Sequence, residues 1–468
     1  MIHHYHRDPV YKNSKLFWLC FIFAQLSFIT TLNLPYLGEE AVYTITSLEM
    51  AFNGEWIAPT TYGINYARPP LFNWLIIPVA EILGWDKVLM ASRLVTAFAT
   101  ALTSLLLIWF VQKIFKNKTF GFFTALIYFS GDVLFRRGWL AYADPLFSFF
   151  VFSAVVCLWI AIIESRFLFL LLAILGLMGS FLTKAVTGYI FYAVAAVVLY
   201  CFSKNRKFLL TYNSLLLHAL AFCFPFIWAL LISKGAHGSG MLHDVVAKLD
   251  VQSLIHYVAK ILLYPIDTWL RWLPVSGLVL YFGLKRSKAL SVIDLHNPDL
   301  KTILWIVGLN YVLYWLAPET HVRYLMPLYP WFALLLAYFI WQLGEDAIKV
   351  TLLWLAAGII LRYIAGIWLF PYYERHYRGD YQLAAHDILK IVQERPLYSE
   401  DDTATGLSVT AYLDVLRLPE PPLKKPKQDW QEGFLLSVVS DLANTQIKKE
   451  YRFGGQHLYL LCRGESCQ

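Results

Sequence analysis

The sequence predicts an all-α, polytopic membrane protein of about eleven spanning helices, followed by a small C-terminal α/β domain. Three observations lead there. Of 468 residues, 58% are hydrophobic and 15% charged, where a soluble domain uses roughly 45–50% and about 25%; mean hydropathy is +0.53. The apolar residues are gathered into runs long enough to cross a bilayer, whose interior offers the backbone no hydrogen-bond partner and so admits only internally bonded helices. Beyond residue 370 the composition turns charged and turn-rich.

The runs predict spans near 16–34, 88–114, 119–135, 145–163, 167–183, 185–202, 208–232, 272–284, 302–317, 324–342 and 350–370. The run 272–284 is short for a crossing. The Pro-bounded run 69–84 reads either as a further short span or as an interfacial helix. The first run lacks a small-residue cleavage site after it and reads as a retained helix. The 17 Trp and 29 Tyr fit many passages through the headgroup zone, where amphipathic rings are favoured.

Basic residues set the orientation. His6, Arg7, Lys12 and Lys15 precede the first span, and the loops Lys113–Lys118, Lys204–Lys207 and Lys285–Lys288 fall on the same side when 69–84 does not cross. The positive-inside rule makes that side cytoplasmic. The loops 35–87, 136–144, 233–271 and 318–323 then lie outside with the tail, giving a domain 1–370 in an inner membrane and an extracytoplasmic domain 371–468. The formal charge of +7 is placed in such loops, so no nucleic-acid partner is read from it. In the tail, Tyr381–Val392 has helical spacing, Gly433–Val439 reads as a strand, and Gly454-Gly455 as a tight turn between strands. Cys20, Cys157, Cys201 and Cys223 sit in apolar runs as packing residues. Whether Cys462 and Cys467 pair is left open.

The outer loops hold the residues with chemistry. From Asn33 to Trp74 the chain places Glu39 and Glu40 directly after a span, then Tyr43, Glu49-Met50, Gly54, Trp56, Pro59, Tyr66, Arg68-Pro69-Pro70 and Trp74. This order resembles the first external loop of the GT-C glycosyltransferases, in the branch of the protein O-mannosyltransferases and the lipid A aminoarabinose transferases. Further matches are Arg93 in A-S-R-L, Asp144-Pro145, L-T-K-A-V-T-G around Lys184, and H-V-R-Y-L-M-P-L-Y-P from His321 to Pro330. The resemblance covers roughly residues 30–342. It departs from the family at Glu39, usually Asp, at Val42, often Arg, and at Arg68, usually Lys.

The resemblance implies a GT-C fold and displacement at the anomeric carbon of a polyprenyl-phosphate-linked sugar, with a glycolipid, glycan or protein as acceptor. A carboxylate must then manage the acceptor's proton, and cations must meet the charge growing on the departing phosphate. The implied catalytic residues are Glu39 as base, Asp144 positioning the acceptor or sharing that role, and Glu40. Arg68, Lys184, Arg323 and Arg93 are the implied donor-phosphate ligands, and Tyr43, Tyr66, His321 and Tyr324 line the substrate. Each carries a plainer reading. Glu39 and Glu40 can be solvated loop residues, Lys184 and Arg323 can snorkel from helix ends as Arg136 and Arg137 do, and Asp144 can cap its helix. Glu40, Glu49 and His321 offer metal ligands, but no His-x-x-His or Cys-x-x-Cys spacing is present, so a divalent metal stays an open question. A transporter would place such charges at the midplane of broken or repeated helices; a lipid-linked polysaccharide ligase lacks this first-loop pattern.

Overall fold

The structure is a computed structural model that describes residues 14–66, 68–233, 253–285, 297–318, 320–427 and 430–468. Helices follow the apolar runs. α1 (Ser14–Leu26) passes into a 3-10 stretch, and α2 (Ala41–Asn53) and α3 (Leu71–Leu83) occupy the first long loop. Then come α4 (Val88–Phe115), α5 (Lys118–Ser130), the short α6 (Asp132–Arg137), α7 (Ala143–Glu164), α8 (Phe167–Lys184), α9 (Thr187–Phe202) and α10 (Tyr212–Ser233). α11 (Leu254–Leu270), α12 (Val275–Lys285), α13 (Pro298–Leu316), α14 (Tyr329–Gln342) and α15 (Glu345–Ile364) complete the bundle. Among the described residues six helical stretches are long and apolar enough to cross a membrane, including Trp85–Phe115, Ala143–Glu164 and Arg323–Gln342. The protein is a multi-pass membrane protein.

α7 lies at the centre, apolar all round and buried over most of its length, as a helix enclosed by others must be. It meets α8 closely because Gly176 and Gly179 face it: a Cβ at Gly176 would stand 3.1 Å from the Ala154 nitrogen, and one at Gly179 2.6 Å from the Phe150 ring. Small residues at such spacing let two helices approach in lipid. On its other side Phe152, Trp159 and Phe110 pack around Trp331 of α14, with ring centroids 5.1–6.2 Å apart.

Three places differ in detail from the expected spans. The run 119–135 is broken at Gly131, whose Cβ position lies 3.2–3.3 Å from the Tyr329 and Trp272 rings, and the chain restarts as α6. α11 lies within the expected loop 233–271; its apolar spacing is interrupted by Lys260, whose ammonium caps the end of α13 by donating to the carbonyls of Tyr314 at 3.1 Å and Ala317 at 2.6 Å, and to that of Trp315. The ambiguous run 69–84 is α3. It starts beside Arg68, which reaches Tyr43, and the chain after it returns within ten residues to Arg93, which holds Glu40.

The C-terminal part carries α16 (Tyr381–Val392) and α17 (Ala404–Leu416) on a four-stranded sheet in the order β3-β4-β6-β5 once the hairpin strands of the first loop are numbered β1 (Thr60–Thr61) and β2 (Ile64–Asn65). Its strands are β3 (Leu397–Ser399), β4 (Gly433–Ser437), β5 (Gln446–Phe453) and β6 (Gln456–Arg463); β3 pairs parallel to β4 and the other pairs are antiparallel. The expected helix, strand and Gly-Gly turn fall where the sequence put them; β3 and α17 were not foreseen. Cys462 and Cys467 are disulfide-bonded. The hairpin joins this part to the bundle. Its two-residue loop, Tyr62-Gly63, has φ +58° and +73°, the geometry of a type I′ turn. Tyr62 donates to the Asp401 carbonyl at 2.9 Å and accepts the Lys425 amide at 3.0 Å, while Tyr36 meets Tyr412 of α17 edge-on at 4.9 Å.

Asp414 on α17 is buried, and its carboxyl accepts the Leu423 amide at 2.7 Å. Burial pushes it up to about 8, against the opposing pull of that amide and Arg417. The folded chain therefore keeps a proton that the unfolded chain releases near pH 4, and stability falls as pH rises through the window from about 4 to about 8. Asp414→Asn keeps the acceptor and removes the titration. Its thermal midpoint in detergent should exceed wild type at about pH 8.5 and converge on it at about pH 5; a difference that does not change with pH would contradict the assignment.

Candidate active site

The loop between α1 and α2 turns at Gly38, with φ +63°, where a Cβ would lie 2.6 Å from the Tyr142 hydroxyl. That close approach brings the Tyr142 oxygen to the Glu39 amide, which donates to it at 2.9 Å. The next residue, Glu40, points inward. Its carboxylate accepts Arg93 Nε at 2.9 Å and Nη2 at 2.6 Å, the Ala141 amide at 2.7 Å and the Leu37 amide at 2.8 Å. Arg93 also donates to the carbonyls of Thr31 at 3.1 Å, Leu32 at 3.2 Å, Leu34 and Pro35 at 2.8 Å. Both side chains are fully buried.

This corrects two expectations. Every nitrogen of the Arg93 guanidinium is already engaged, so it has no donor to offer a phosphate. Glu40 is saturated by four donors and has no access to a substrate. The pair instead clamps the end of α1, the start of α2, α4 and the segment before α7 into one frame.

Around that frame the other expected residues gather. Glu39 is exposed, and it acts electrostatically on Arg68 and on Arg323. Arg68 donates to the Tyr43 hydroxyl at 3.3 Å and lies 5.0 Å from the Tyr66 ring centre. Tyr43 is held edge-on by Phe72 at 4.8 Å. From α7, Asp144 forms an ion pair with Lys184 at the end of α8 and feels Arg323 and Arg137 as well. Lys184 and Arg323 lie 4.8 and 5.4 Å from the Tyr324 ring, and His321 meets that ring edge-on at 5.7 Å. Arg323 thus stands within electrostatic reach of both Glu39 and Asp144, residues from distant parts of the chain.

Lys184, expected to face a phosphate, is joined to Asp144, so Asp144 reaches the site with its charge already matched. Three other donors are less satisfied: Tyr66 Oη, Arg323 Nε and Arg137 Nη1 are buried and have no hydrogen-bond partner among the described residues. Burial raises both phenols, Tyr142 to about 12 and Tyr66 further, so each remains a neutral hydroxyl. The sequence reading left Arg137 as a snorkelling residue and did not select Tyr142. Arg137 in fact stacks 5.1 Å over the Tyr142 ring and acts on Asp144. Its only sequence signal was its place seven residues before Asp144-Pro145. An array of cations around two carboxylates, with unpartnered donors among them, can hold an anion and place a carboxylate beside it.

Glu49 does other work. Its carboxylate accepts from Thr60 Oγ1 at 2.5 Å and the Gly63 amide at 3.2 Å, and burial raises it above the usual range against those bonds; it anchors the β1–β2 hairpin. The expected metal option of Glu40, Glu49 and His321 is not assembled, and no group of three or more His, Cys, Asp or Glu suited to a metal occurs among the described residues.

No family model matches the sequence. Over 202 residues the chain is 27% identical to the undecaprenyl phosphate-α-4-amino-4-deoxy-L-arabinose arabinosyl transferase of Pseudomonas aeruginosa strain UCBPP-PA14, a match covering 42% of this chain and 36% of that protein. The protein of the same description from Yersinia enterocolitica is 27% identical over 143 residues, 30% of this chain and 26% of its own length. The matched region therefore spans about a third of these relatives or less. The structure resembles that of ArnT from Cupriavidus metallidurans bound to undecaprenyl phosphate with a TM-score of 0.70 at 13% identity, covering 97% of this chain and 98% of the other. It resembles archaeal oligosaccharyltransferase AglB from Archaeoglobus fulgidus less closely, with a TM-score of 0.52 at 12% identity over 90% of this chain and 62% of that one. The fold is the ArnT fold, and the resemblance to the GT-C glycosyltransferases holds in sequence and in architecture.

The clamp makes a prediction distinct from catalysis. Glu40→Ala leaves Arg93 buried without its counter-ion, which typically costs about 3–5 kcal/mol. The yield of folded protein and its thermal midpoint should fall sharply, and Glu40→Ala combined with Arg93→Ala should cost less than the sum of the single changes. Normal folding of Glu40→Ala with selective loss of turnover would restore Glu40 to the site.

Proposed function

We propose that this protein is an integral-membrane glycosyltransferase that moves a sugar from a polyprenyl-phosphate carrier to an acceptor at the extracytoplasmic face of the inner membrane. The observation that carries this reading is Arg323 lying within electrostatic reach of both Glu39 and Asp144, beside donors that lack partners. The relatives named for an undecaprenyl-phosphate-linked aminoarabinose support that donor as the first to test. Lipid A or another envelope glycan is the acceptor class proposed.

In this reading the acceptor oxygen attacks the anomeric carbon, and the bond from that carbon to the carrier phosphate breaks with its electron pair leaving on the phosphate. Arg68, Arg323 and the neutral Tyr66 hydroxyl meet the charge that grows there, where fixed donors in a poorly hydrated site act most strongly. Glu39, exposed and without a direct ion pair among the described residues, takes the acceptor's proton or holds the acceptor when none is lost. Lys184 and Arg137 hold Asp144, which orients the acceptor. His321 and Tyr324 border the substrate space.

Residues 1–370 form the transferase domain, crossing the membrane eleven times with an external loop at 35–87, and 371–468 form an extracytoplasmic domain. Two observations support this sidedness: the basic loops of the sequence, and a disulfide in the tail, a bond that persists in oxidising compartments. The N-terminus is then cytoplasmic.

Glu39→Gln and Asp144→Asn should insert and fold normally. Glu39→Gln should lower kcat for transfer from undecaprenyl phosphate-4-amino-4-deoxy-L-arabinose by about 10²–10⁴-fold, and Arg68→Ala should lose more activity than Arg68→Lys. Turnover assays on purified variants, with mass spectrometry of lipid A from cells with and without the gene, measure both. Undiminished transfer by Glu39→Gln would remove it as the base.

A further inference from the structure

A cavity of about 310 Å³ opens between α1, α5, α6, the turn before α12, and α15. Its walls include Leu126, Phe129, Leu273 and Trp354. Trp354 and Leu273 are about half exposed, at 52% and 49%, so the cavity opens on a side of the bundle where a membrane protein meets acyl chains.

Its polar lining is Arg136, Arg362 and Asp132. Arg362 comes from α15 and is only 4% exposed. Its guanidinium lies 3.6 Å from the Phe28 ring centre, and Nη2 donates to the carbonyls of Leu134 at 3.2 Å and Phe135 at 3.3 Å. Its Nε has no partner, and no carboxylate pairs with it among the described residues. Arg136 is exposed and likewise makes no ion pair among them. Asp132 is matched through Oδ2, which Arg271 binds at 2.7 Å while also binding Asp267 at 3.0 Å; Asp132 Oδ1 has no partner among the described residues. Counting these five groups, three cations face two carboxylates.

A cation buried in a membrane protein without a counter-ion is costly and is retained for a role. An arginine fork matches the geometry of a phosphate, and its weak hydration lets it do so at the edge of an apolar space. We propose that this cavity binds a bilayer lipid whose headgroup carries a phosphate, with the phosphate on Arg136 and Arg362 and an acyl chain along Leu126, Phe129 and Trp354. None of its lining residues belongs to the candidate active site, so the inference stands apart from the proposed reaction. α6 separates the two, presenting Arg136 to the cavity and Arg137 to Asp144.

Native mass spectrometry of the full chain released from mixed micelles tests this, with phosphatidylglycerol, diacylglycerol and inorganic phosphate as probes. Wild type should retain phosphatidylglycerol and not diacylglycerol, and inorganic phosphate should not displace it. Gly358 lines the cavity and a Cβ there meets nothing within 4 Å, so Gly358→Leu adds bulk to the lining from a position where a side chain can start. Gly358→Leu and Arg136→Gln should each weaken retention by about tenfold or more, a difference of about 1.4 kcal/mol. Equal retention of diacylglycerol, full displacement by inorganic phosphate, or unchanged retention in both variants would overturn the proposal.

Discussion

The structure turns on one buried ion pair. Glu40 and Arg93 come from segments 53 residues apart, and between them they engage a carboxylate with four donors and a guanidinium with backbone carbonyls along 31–35. A buried pair offsets its desolvation only when the remaining lone pairs and protons are also satisfied, and here they are. Because Glu39 precedes Glu40 in the chain, fixing Glu40 inward turns Glu39 outward. Because Ala141 is bonded to the same carboxylate, the segment leading to Tyr142 and Asp144 is placed by the same clamp.

From that frame the electrostatics follow. Tyr142 braces the Glu39 backbone, Asp144 draws Lys184, Arg323 and Arg137 together, and Arg323 links the two carboxylates. Such an array is held by its own contacts, as the proposed stabilisation of developing charge requires. The C-terminal part adds to it through the hairpin: Glu49 sets the turn at Tyr62-Gly63, and that turn is tied to Asp401 and Lys425. Glu49 thus belongs to the connection between the two regions and not to the chemistry, although its spacing in the first loop matched a family pattern as well as Glu39 did.

What was legible in the sequence was what depends on neighbours along the chain. Apolar runs gave the helices because lipid leaves the backbone no alternative bonding. Tyr381–Val392 was visible through its spacing. α11 was not, since Lys260 breaks its apolar pattern while its ammonium is satisfied by α13. Among the site residues, motif order pointed to Glu39, Arg68, Asp144, Lys184 and Arg323, and the structure brings them into one region. The same order gave Arg93 and Glu40 the wrong task, since an arginine at a helix end looks alike whether it meets a phosphate or a ring of carbonyls.

The sequence by itself determined that this chain lives in a membrane and where most of its helices lie, because hydropathy is a sum over local residues. Only the tertiary structure decided which charges are matched internally and which remain open to a ligand. That distinction rests on distances of about 3 Å between groups far apart in the chain, and no local pattern encodes them. The same reason hid Arg137 and Arg362: each is an ordinary helix-end arginine until the partners around it, or their absence at one nitrogen, can be seen.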